Sequence, residues 1–123
     1  MPNPLFQLAV LITARFWTAN YAWWVRERLC LEAGIAQEVM DAVRERRRPT
    51  FAAADQEAVY DYVTELLDNR KVSDATHARL QQIIGDRSLI ELVLSIGFYS
   101  MLGLSCDAFE PDLPPGVTPP LAG

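Results

Sequence analysis

The chain has 123 residues, of which 50% are hydrophobic and 22% are charged. This length and composition are typical of one globular domain. The net charge of −5 and the pI near 4.7 argue against a surface for nucleic acid or for an anionic membrane, since either would repel an acidic protein. The one basic run, at residues 44–48, precedes Pro49 and is typical of a solvated helix C-terminus, with an anion or RNA patch as the alternative.

Cysteine and histidine usage limits the chemistry. Cys30 and Cys106 match no CxxC, zinc or haem spacing, and His77 is the only histidine. We therefore expect two small buried thiols, no metal site and no cofactor, with a Cys30–Cys106 disulfide as an unsupported alternative. This cysteine usage suggests a reducing compartment, and we predict a cytoplasmic protein without a signal peptide.

The first half of the chain predicts three helices. Apolar residues recur at helical spacing from Leu5, and a break at residues 18–20 lets Asn20 cap a second helix over residues 21–33. Gly34 should end that helix, and a third helix over residues 36–47 stops before Pro49.

The second half predicts a clear amphipathic helix over residues 54–69 and a helix over residues 74–84 that Ser73 caps and Gly85 ends. The last helix, at residues 87–109, is apolar nearly all round, so we expect burial on several sides, partly by another subunit. The apolar run at 92–104 is too short to span a bilayer. In the preceding helix, over residues 74–84, the side chains expected to point toward the core are those of Ala75, Ala78 and Ile83.

No strand alternation or internal repeat is visible, so the prediction is an all-α fold with five or six helices. A helical domain should cover residues 1–110. The segment 111–123 contains five prolines and is expected to be an extended C-terminal tail.

The order of several short motifs resembles a known family. They are Ala14-Arg15 to Tyr21-x-Trp23, Glu32-Ala33-Gly34-Ile35, Arg48-Pro49-x-Phe51, Val72-Ser73-Asp74-Ala75-Thr76, Glu91-Leu92-x-x-x-Ile96-Gly97-Phe98-Tyr99 and Pro111-x-Leu113-Pro114-Pro115-Gly116. In this order, over residues 8–116, the chain resembles the carboxymuconolactone decarboxylase family, within the wider alkylhydroperoxidase-D-like group. The resemblance implies an alkylhydroperoxidase-D-like helical bundle that assembles into trimers or hexamers.

Family members carry further helices ahead of the stretch that begins here at Leu5. By this resemblance the chain is N-terminally short, either as a natural version or by omission of a segment. We therefore expect the helix over residues 5–17 to expose a face that another element must cover.

The resemblance also assigns the family's reactive positions to Gln7, Ala19, Ala22 and Arg26. In thiol peroxidases of the group, two cysteines, a histidine and an acidic residue occupy these positions. In decarboxylase-like members a glutamate and a histidine accompany the aromatic residues. Alanine has no nucleophile, and arginine cannot act as a general base. The catalytic residues are therefore unknown, and peroxidase activity is the least expected.

Arg26 is the strongest candidate for binding, as a clamp for a carboxylate or oxyanion, with Tyr21, Trp23 and Tyr99 shaping a pocket. The competing interpretation pairs Arg26 with an acidic neighbour such as Asp107 or Glu110, and makes the tryptophans core residues. Glu27 is one helical step from Arg26 and so points about 100° away. The mid-helix His77 is read as a surface or packing residue.

Two functions follow as hypotheses. One is a divergent, cofactor-free, decarboxylase-like homo-oligomer that acts on or binds a small carboxylated or lactone-like molecule. The other is a non-catalytic oligomeric or binding protein that has lost the family's proton relay.

Overall fold

A computed structural model describes residues 1–122 and places five α-helices, and no strand, among them. The predicted all-α fold is confirmed. The helices are α1 (Asn3–Phe16), α2 (Asn20–Glu32), α3 (Gln37–Arg44), α4 (Ala54–Asn69) and α5 (Asp74–Phe109).

The first three helices end in the same way. Thr18, Gly34 and Arg46 have positive φ, and in each case the next backbone N–H bonds to the carbonyl five residues before it at 2.8–3.0 Å. This pattern closes a helix by satisfying its last carbonyl groups. The predicted stop at Gly34 is confirmed. The predicted end of the third helix near Arg47 was too late, because the left-handed backbone of Arg46 ends α3 at Arg44.

The C-terminal tail returns to the bundle. Leu121 is buried in the core, its N–H donates to Asn20 Oδ1 at 2.8 Å, and Arg15 Nη2 donates to the Ala122 carbonyl at 2.7 Å. The prediction that Asn20 caps α2 was therefore wrong. Its side chain holds the tail, and the cap position falls on Ala19. The tail contains no helix up to Ala122, as expected.

The long helix α5 is broken at Gly85, where φ is 81° and ψ is 167°. This region of backbone space is essentially restricted to glycine. The predicted boundary between two helices at Gly85 is thus real, although the two parts follow each other directly. The predicted cap is also confirmed, since Ser73 Oγ accepts a hydrogen bond from the Thr76 N–H at 3.3 Å.

The first part of α5 presents a different face to the core than predicted. Leu80 is fully buried against the core. Thr76 and Arg79, which lie on either side of the Leu80 face, bond to Glu65 and Glu57 of α4 and so hold this face toward the bundle. The residues predicted to point inward are all exposed: Ala75, Ala78 and Ile83.

The centre of the molecule is α1, which contacts all four other helices. Leu5 and every residue from 7 to 15 are buried. The expectation that this helix exposes a face was therefore wrong. The tail, α2, α4 and α5 together cover it within one chain.

The second part of α5 (residues 86–109) packs against the core on one side only, through Leu89, Leu92, Ile96 and Gly103. Its other apolar side chains are exposed. Among the helices of residues 1–122, α5 alone is long and apolar enough to cross a membrane, with a mean hydropathy of 1.7 over its most apolar 18 residues. Length and composition alone do not place it there, because core helices of soluble proteins share both properties.

The basic run after α3 is paired with carboxylates. Arg48 bonds Asp61 at 2.7 Å and Glu57 at 3.4 Å, and Arg79 of α5 bonds the same two carboxylates. Arg44 bonds Asp41 at 2.8 Å and Arg47 bonds Glu45. These pairs neutralise much of the run, which disfavours the alternative of an anion or RNA patch.

Candidate functional site

An apolar cavity of about 440 Å³ lies between α1, α2 and the end of α5. Its size is within the range of small-molecule sites. Arg26 is the only charged residue in its wall, within the part of the chain that the structure describes. The wall is formed by Val10, Ala14, Tyr21, Ala22, Val25, Arg26, Tyr99, Leu102, Ser105, Cys106, Phe109 and Pro111.

Gln7 of α1 fixes the position of Arg26. Arg26 Nη1 donates to Gln7 Oε1 at 2.8 Å, while Gln7 Nε2 donates to Asn3 Oδ1 at 3.1 Å. The amide of Gln7 is only 8% exposed, so its oxygen is directed at the guanidinium inside the bundle. Two positions that the resemblance assigns to the reactive site, Gln7 and Arg26, are therefore in direct contact.

Tyr99 of α5 holds the guanidinium from another direction. The Cζ atom of Arg26 lies 5.0 Å from the centroid of the Tyr99 ring, which is the geometry of a cation–π contact. Arg26 Nε is buried and has no hydrogen-bond partner among residues 1–122. A buried N–H without an acceptor is unfavourable by about 1–3 kcal/mol, so an acceptor that reaches it would be favoured.

The alternative in which Arg26 pairs with Asp107 or Glu110 finds no support in the geometry. Within residues 1–122, Arg26 has no carboxylate within 4.0 Å, whereas eight ion pairs occur elsewhere. The charge of Arg26 is thus balanced by a neutral amide and an aromatic ring only.

The structure separates the predicted aromatic residues. Tyr21 and Tyr99 line the cavity together with Arg26. Trp23 does not, because it is fully buried on the opposite side of α2, where its Nε1 donates to Glu27 Oε2 at 2.6 Å. Glu27 in turn lies 3.9 Å from Arg44, outside the cavity wall. Trp23 belongs to the core, and Glu27 faces away from the site as its helical step predicts.

Ala19 and Ala22, which the resemblance assigns to the reactive site, line two different spaces. Ala22 is in the cavity wall, and Ala19 lines a neighbouring groove of about 940 Å³ between the tail and the α1–α2 turn. Cys106 borders both spaces. No thiol stands at Ala19 or Ala22, so the positions that the resemblance assigns to a dithiol carry none.

Both cysteines are free. Cys30 is buried between α1 and α2, where its thiol donates to the Gln7 carbonyl at 3.3 Å. Burial raises the pKa of the Cys30 thiol to about 12, although the positive charge of Arg26 acts in the opposite direction. A thiol that stays protonated at neutral pH is a poor nucleophile. Cys106 is only half-buried, which corrects the expectation of two buried thiols.

His77 lies outside the cavity wall. It is exposed on the first part of α5, with its Nδ1 3.5 Å from the hydroxyl of Tyr62. No group of three or more His, Cys, Asp and Glu side chains within residues 1–122 could hold a metal ion.

Of the wall that α5 contributes, only Tyr99 was predicted. Leu102, Cys106 and Phe109 line the cavity beside it and were not predicted. The spacing of these four residues, at steps of three, four and three, places them on one stripe of a helix, and this was the signal that could have found the other three. The spacing does not tell which part of the protein the stripe faces.

The chain was compared with protein-family models, with curated proteins and with solved structures, and none of the three comparisons gave a match. The family resemblance of its motifs therefore stays a prediction.

Proposed function

We propose that the cavity beside Arg26 binds a small carboxylated or lactone-like molecule, in a cofactor-free, cytoplasmic homo-oligomer of the carboxymuconolactone decarboxylase type. The observation that carries this proposal is that Arg26 is the only charged residue in the described wall, most of which is apolar. The direct contact between Gln7 and Arg26 also supports the family assignment, since it joins an α1 position and an α2 position of the implied site.

The preference for an anion follows from the surroundings of Arg26. The guanidinium is held by Gln7 and Tyr99 and has no carboxylate partner within 4.0 Å among the described residues. In an apolar cavity the attraction between a guanidinium and a carboxylate is stronger than in water. Tyr21, on the same wall, adds a hydroxyl and an aromatic surface for an unsaturated ligand.

The described cavity wall lacks the usual groups for proton transfer. The described cavity wall contains no carboxylate and no imidazole, which are the usual groups for general acid–base catalysis at neutral pH. This observation favours the second candidate, a binding protein that kept the bundle and lost the proton relay. A lyase would need Arg26 to stabilise developing negative charge, with a tyrosine or the ligand itself moving the proton.

Thiol peroxidase activity is disfavoured. Ala19 and Ala22 carry no thiol, and the thiol of Cys30 is buried with its pKa raised to about 12. Peroxide consumption with a dithiol reductant should therefore be absent, and turnover that survives replacement of both cysteines by serine would point to contamination.

The binding test compares benzoate with its uncharged analogue benzamide by titration calorimetry. Arg26→Met keeps most of the side-chain volume and should weaken benzoate binding by about 10- to 100-fold, because a charge-assisted pair is lost. Binding of benzamide should change little. Equal affinity of wild type and Arg26→Met for benzoate would end the anion proposal.

Two further variants make this test specific. Gln7→Glu places a carboxylate beside the guanidinium and should also weaken benzoate binding, although Arg26 is still present. Arg28→Met is the matched control, since Arg28 lies on the same helix over the Trp24 ring at 4.9 Å and outside the cavity wall. Assays of wild type with γ-carboxymuconolactone then separate the lyase from the binding protein.

A further inference from the structure

The second part of α5 carries an exposed apolar face that the bundle does not use. Its large side chains are between 39% and 82% exposed: Ile90, Val93, Leu94, Phe98, Met101, Leu102, Leu104 and Phe109. A contiguous exposed apolar patch of this kind marks an interaction site on a protein surface.

The exposed residues along the middle of this face follow a heptad spacing. They occur at steps of four, three, four, three and four residues: Ile90, Leu94, Gly97, Met101, Leu104 and Ala108. A repeat of 3.5 residues is the pattern of a seam between two helices. We call this stripe the α5 seam. Other exposed apolar residues, among them Val93 and Phe98, flank the seam.

The seam is complementary to itself when two copies run antiparallel. About a centre at residue 99, Ile90 of one copy faces Ala108 of the other, and Leu94 faces Leu104. Gly97 then faces Met101. Large residues meet small ones in two of the three layers, and no atom lies within 4 Å of a Cβ built on Gly97. The glycine therefore leaves space for the partner's methionine.

Charge disfavours the parallel orientation. The antiparallel pairing brings Arg87, whose side chain is 94% exposed and lies 3.4 Å from Glu91, near Glu110 and Asp112, which follow the other helix; it also brings Glu91 level with Asp107. A parallel pairing would instead place the acidic ends side by side. The partner's helix would also lie next to Leu102 and Phe109, which line the cavity.

A bilayer fits the face less well. The stretch without charged residues runs from 92 to 106, between the exposed Glu91 and Asp107. Fifteen helical residues cover about 22 Å, and a hydrocarbon core is about 30 Å thick. Leu92, Ile96 and Gly103, from the same stretch, are buried in the bundle and are not available to lipid.

We infer that the α5 seam binds a second copy of this chain in an antiparallel, two-fold symmetric pair. The inference rests on the proposed homo-oligomer and specifies its contact. It predicts an even number of subunits, since every seam is occupied by another seam.

Disulfide trapping tests the pair in the full chain with Cys30 and Cys106 replaced by serine. The double variant Leu94→Cys/Leu104→Cys should form covalent dimers when oxidised, since each new thiol faces the other position of the partner. Within one chain these two positions are ten residues apart, about 15 Å along the helix, and cannot bond. Each single variant should stay monomeric on denaturing gels. Covalent dimers of the single variants without those of the double variant would overturn the antiparallel pair.

Light scattering supplies the second test. Wild type at micromolar concentration should give at least twice the chain mass of 13.8 kDa. Leu94→Lys should weaken the pair by roughly 100-fold or more, since both copies lose the same central contact. Leu31→Lys is the matched control, because Leu31 is an exposed leucine of α2 at 48% and lies away from the seam.

A monomeric wild type would overturn the inference. If that monomer floats with phosphatidylcholine vesicles, the face binds lipid instead. The two proposals are tested by different variants, because Leu94 is outside the cavity wall and Arg26 is outside the seam.

Discussion

The helix α1 and the second part of α5 have similar apolar composition and opposite surroundings. Leu8 and Leu11 of α1 are fully buried, whereas Leu94 of α5 is 68% exposed. Three polar side chains of α1 are inside as well, those of Gln7, Thr13 and Arg15: Thr13 Oγ1 donates to the Ala9 carbonyl at 2.8 Å, and Arg15 holds the tail. The position of an apolar helix in the bundle, more than its hydrophobicity, therefore decides whether the rest of the chain buries all of its sides.

The physical reason is the number of sides from which each helix is covered. Three helices and the tail surround α1, which leaves no side open. The second part of α5 lies at the edge, where α1 and α2 cover only one side. A chain of 123 residues has too little further structure to cover the other sides.

Truncation of one leucine on each helix gives the largest contrast. Leu11→Ala should lower the free energy of unfolding by about 3–5 kcal/mol, because it leaves a cavity in a region covered on all sides. Leu94→Ala should change the stability of the isolated subunit by about 0.5 kcal/mol or less. Urea unfolding at a concentration at which light scattering gives the monomer mass measures both. Similar losses for the two variants would mean that Leu94 is buried in the subunit.

Two glycines of α5 test the same contrast on one helix. Gly103→Ala should destabilise the protein by about 1–3 kcal/mol, since its Cβ would lie 2.9 Å from three atoms of Trp17. Gly97→Ala meets nothing within 4 Å in the subunit and should stabilise the monomer by about 1 kcal/mol through helix propensity. Thermal unfolding of the two variants should therefore shift in opposite directions. A shift of both unfolding temperatures in the same direction would contradict the different surroundings of the two sides of α5.

The last prediction concerns the thiol that packs on α1. Burial raises the pKa of Cys30 from 9.0 to about 12 in the folded protein. Between these values the unfolded chain loses the proton and the folded one keeps it, so stability falls as pH rises through that window. The slope is at most about 1.4 kcal/mol per pH unit. Below pH 9 the contribution is fully present.

Unfolding of Cys30→Ala between pH 8 and pH 11 should therefore show a shallower decline than wild type. The pKa values of Tyr60 and Tyr62 are also raised by burial, and their contribution is the same in both proteins. Equal slopes for wild type and Cys30→Ala would contradict the burial of Cys30 against α1.

Local signals in the sequence predicted much of the secondary structure. Gly34 and Gly85 marked a helix end and a helix break because positive φ favours glycine. Arg46 gave no such signal, since an arginine is rarely left-handed, and the end of α3 was therefore placed too late. Asn20 looked like a cap, but a contact 101 residues away in the chain engages its side chain. Local reasoning cannot include such a contact.

The candidate site was predictable in part. Arg26, Tyr21 and Tyr99 were named from the sequence, and the structure brings them to one cavity. Trp23 was placed wrongly, because adjacent helical positions face different sides and the sequence does not say which side is the core. The contribution of Cys106 and Phe109 was missed, since the end of α5 reaches the cavity only through the packing of the whole bundle.

The sequence by itself determined the all-α character, the amphipathic α4 and the breaks at Gly34 and Gly85, because these depend on periodicity and backbone preference within a few residues. That Gln7, Ala19, Ala22 and Arg26 occupy a family's reactive positions stays a prediction from the resemblance. Tertiary structure alone decided that α1 is covered on all sides, that the tail returns to Asn20, and that α5 keeps an exposed seam. These properties depend on which helices lie next to each other, and contacts between residues far apart in the chain set that arrangement.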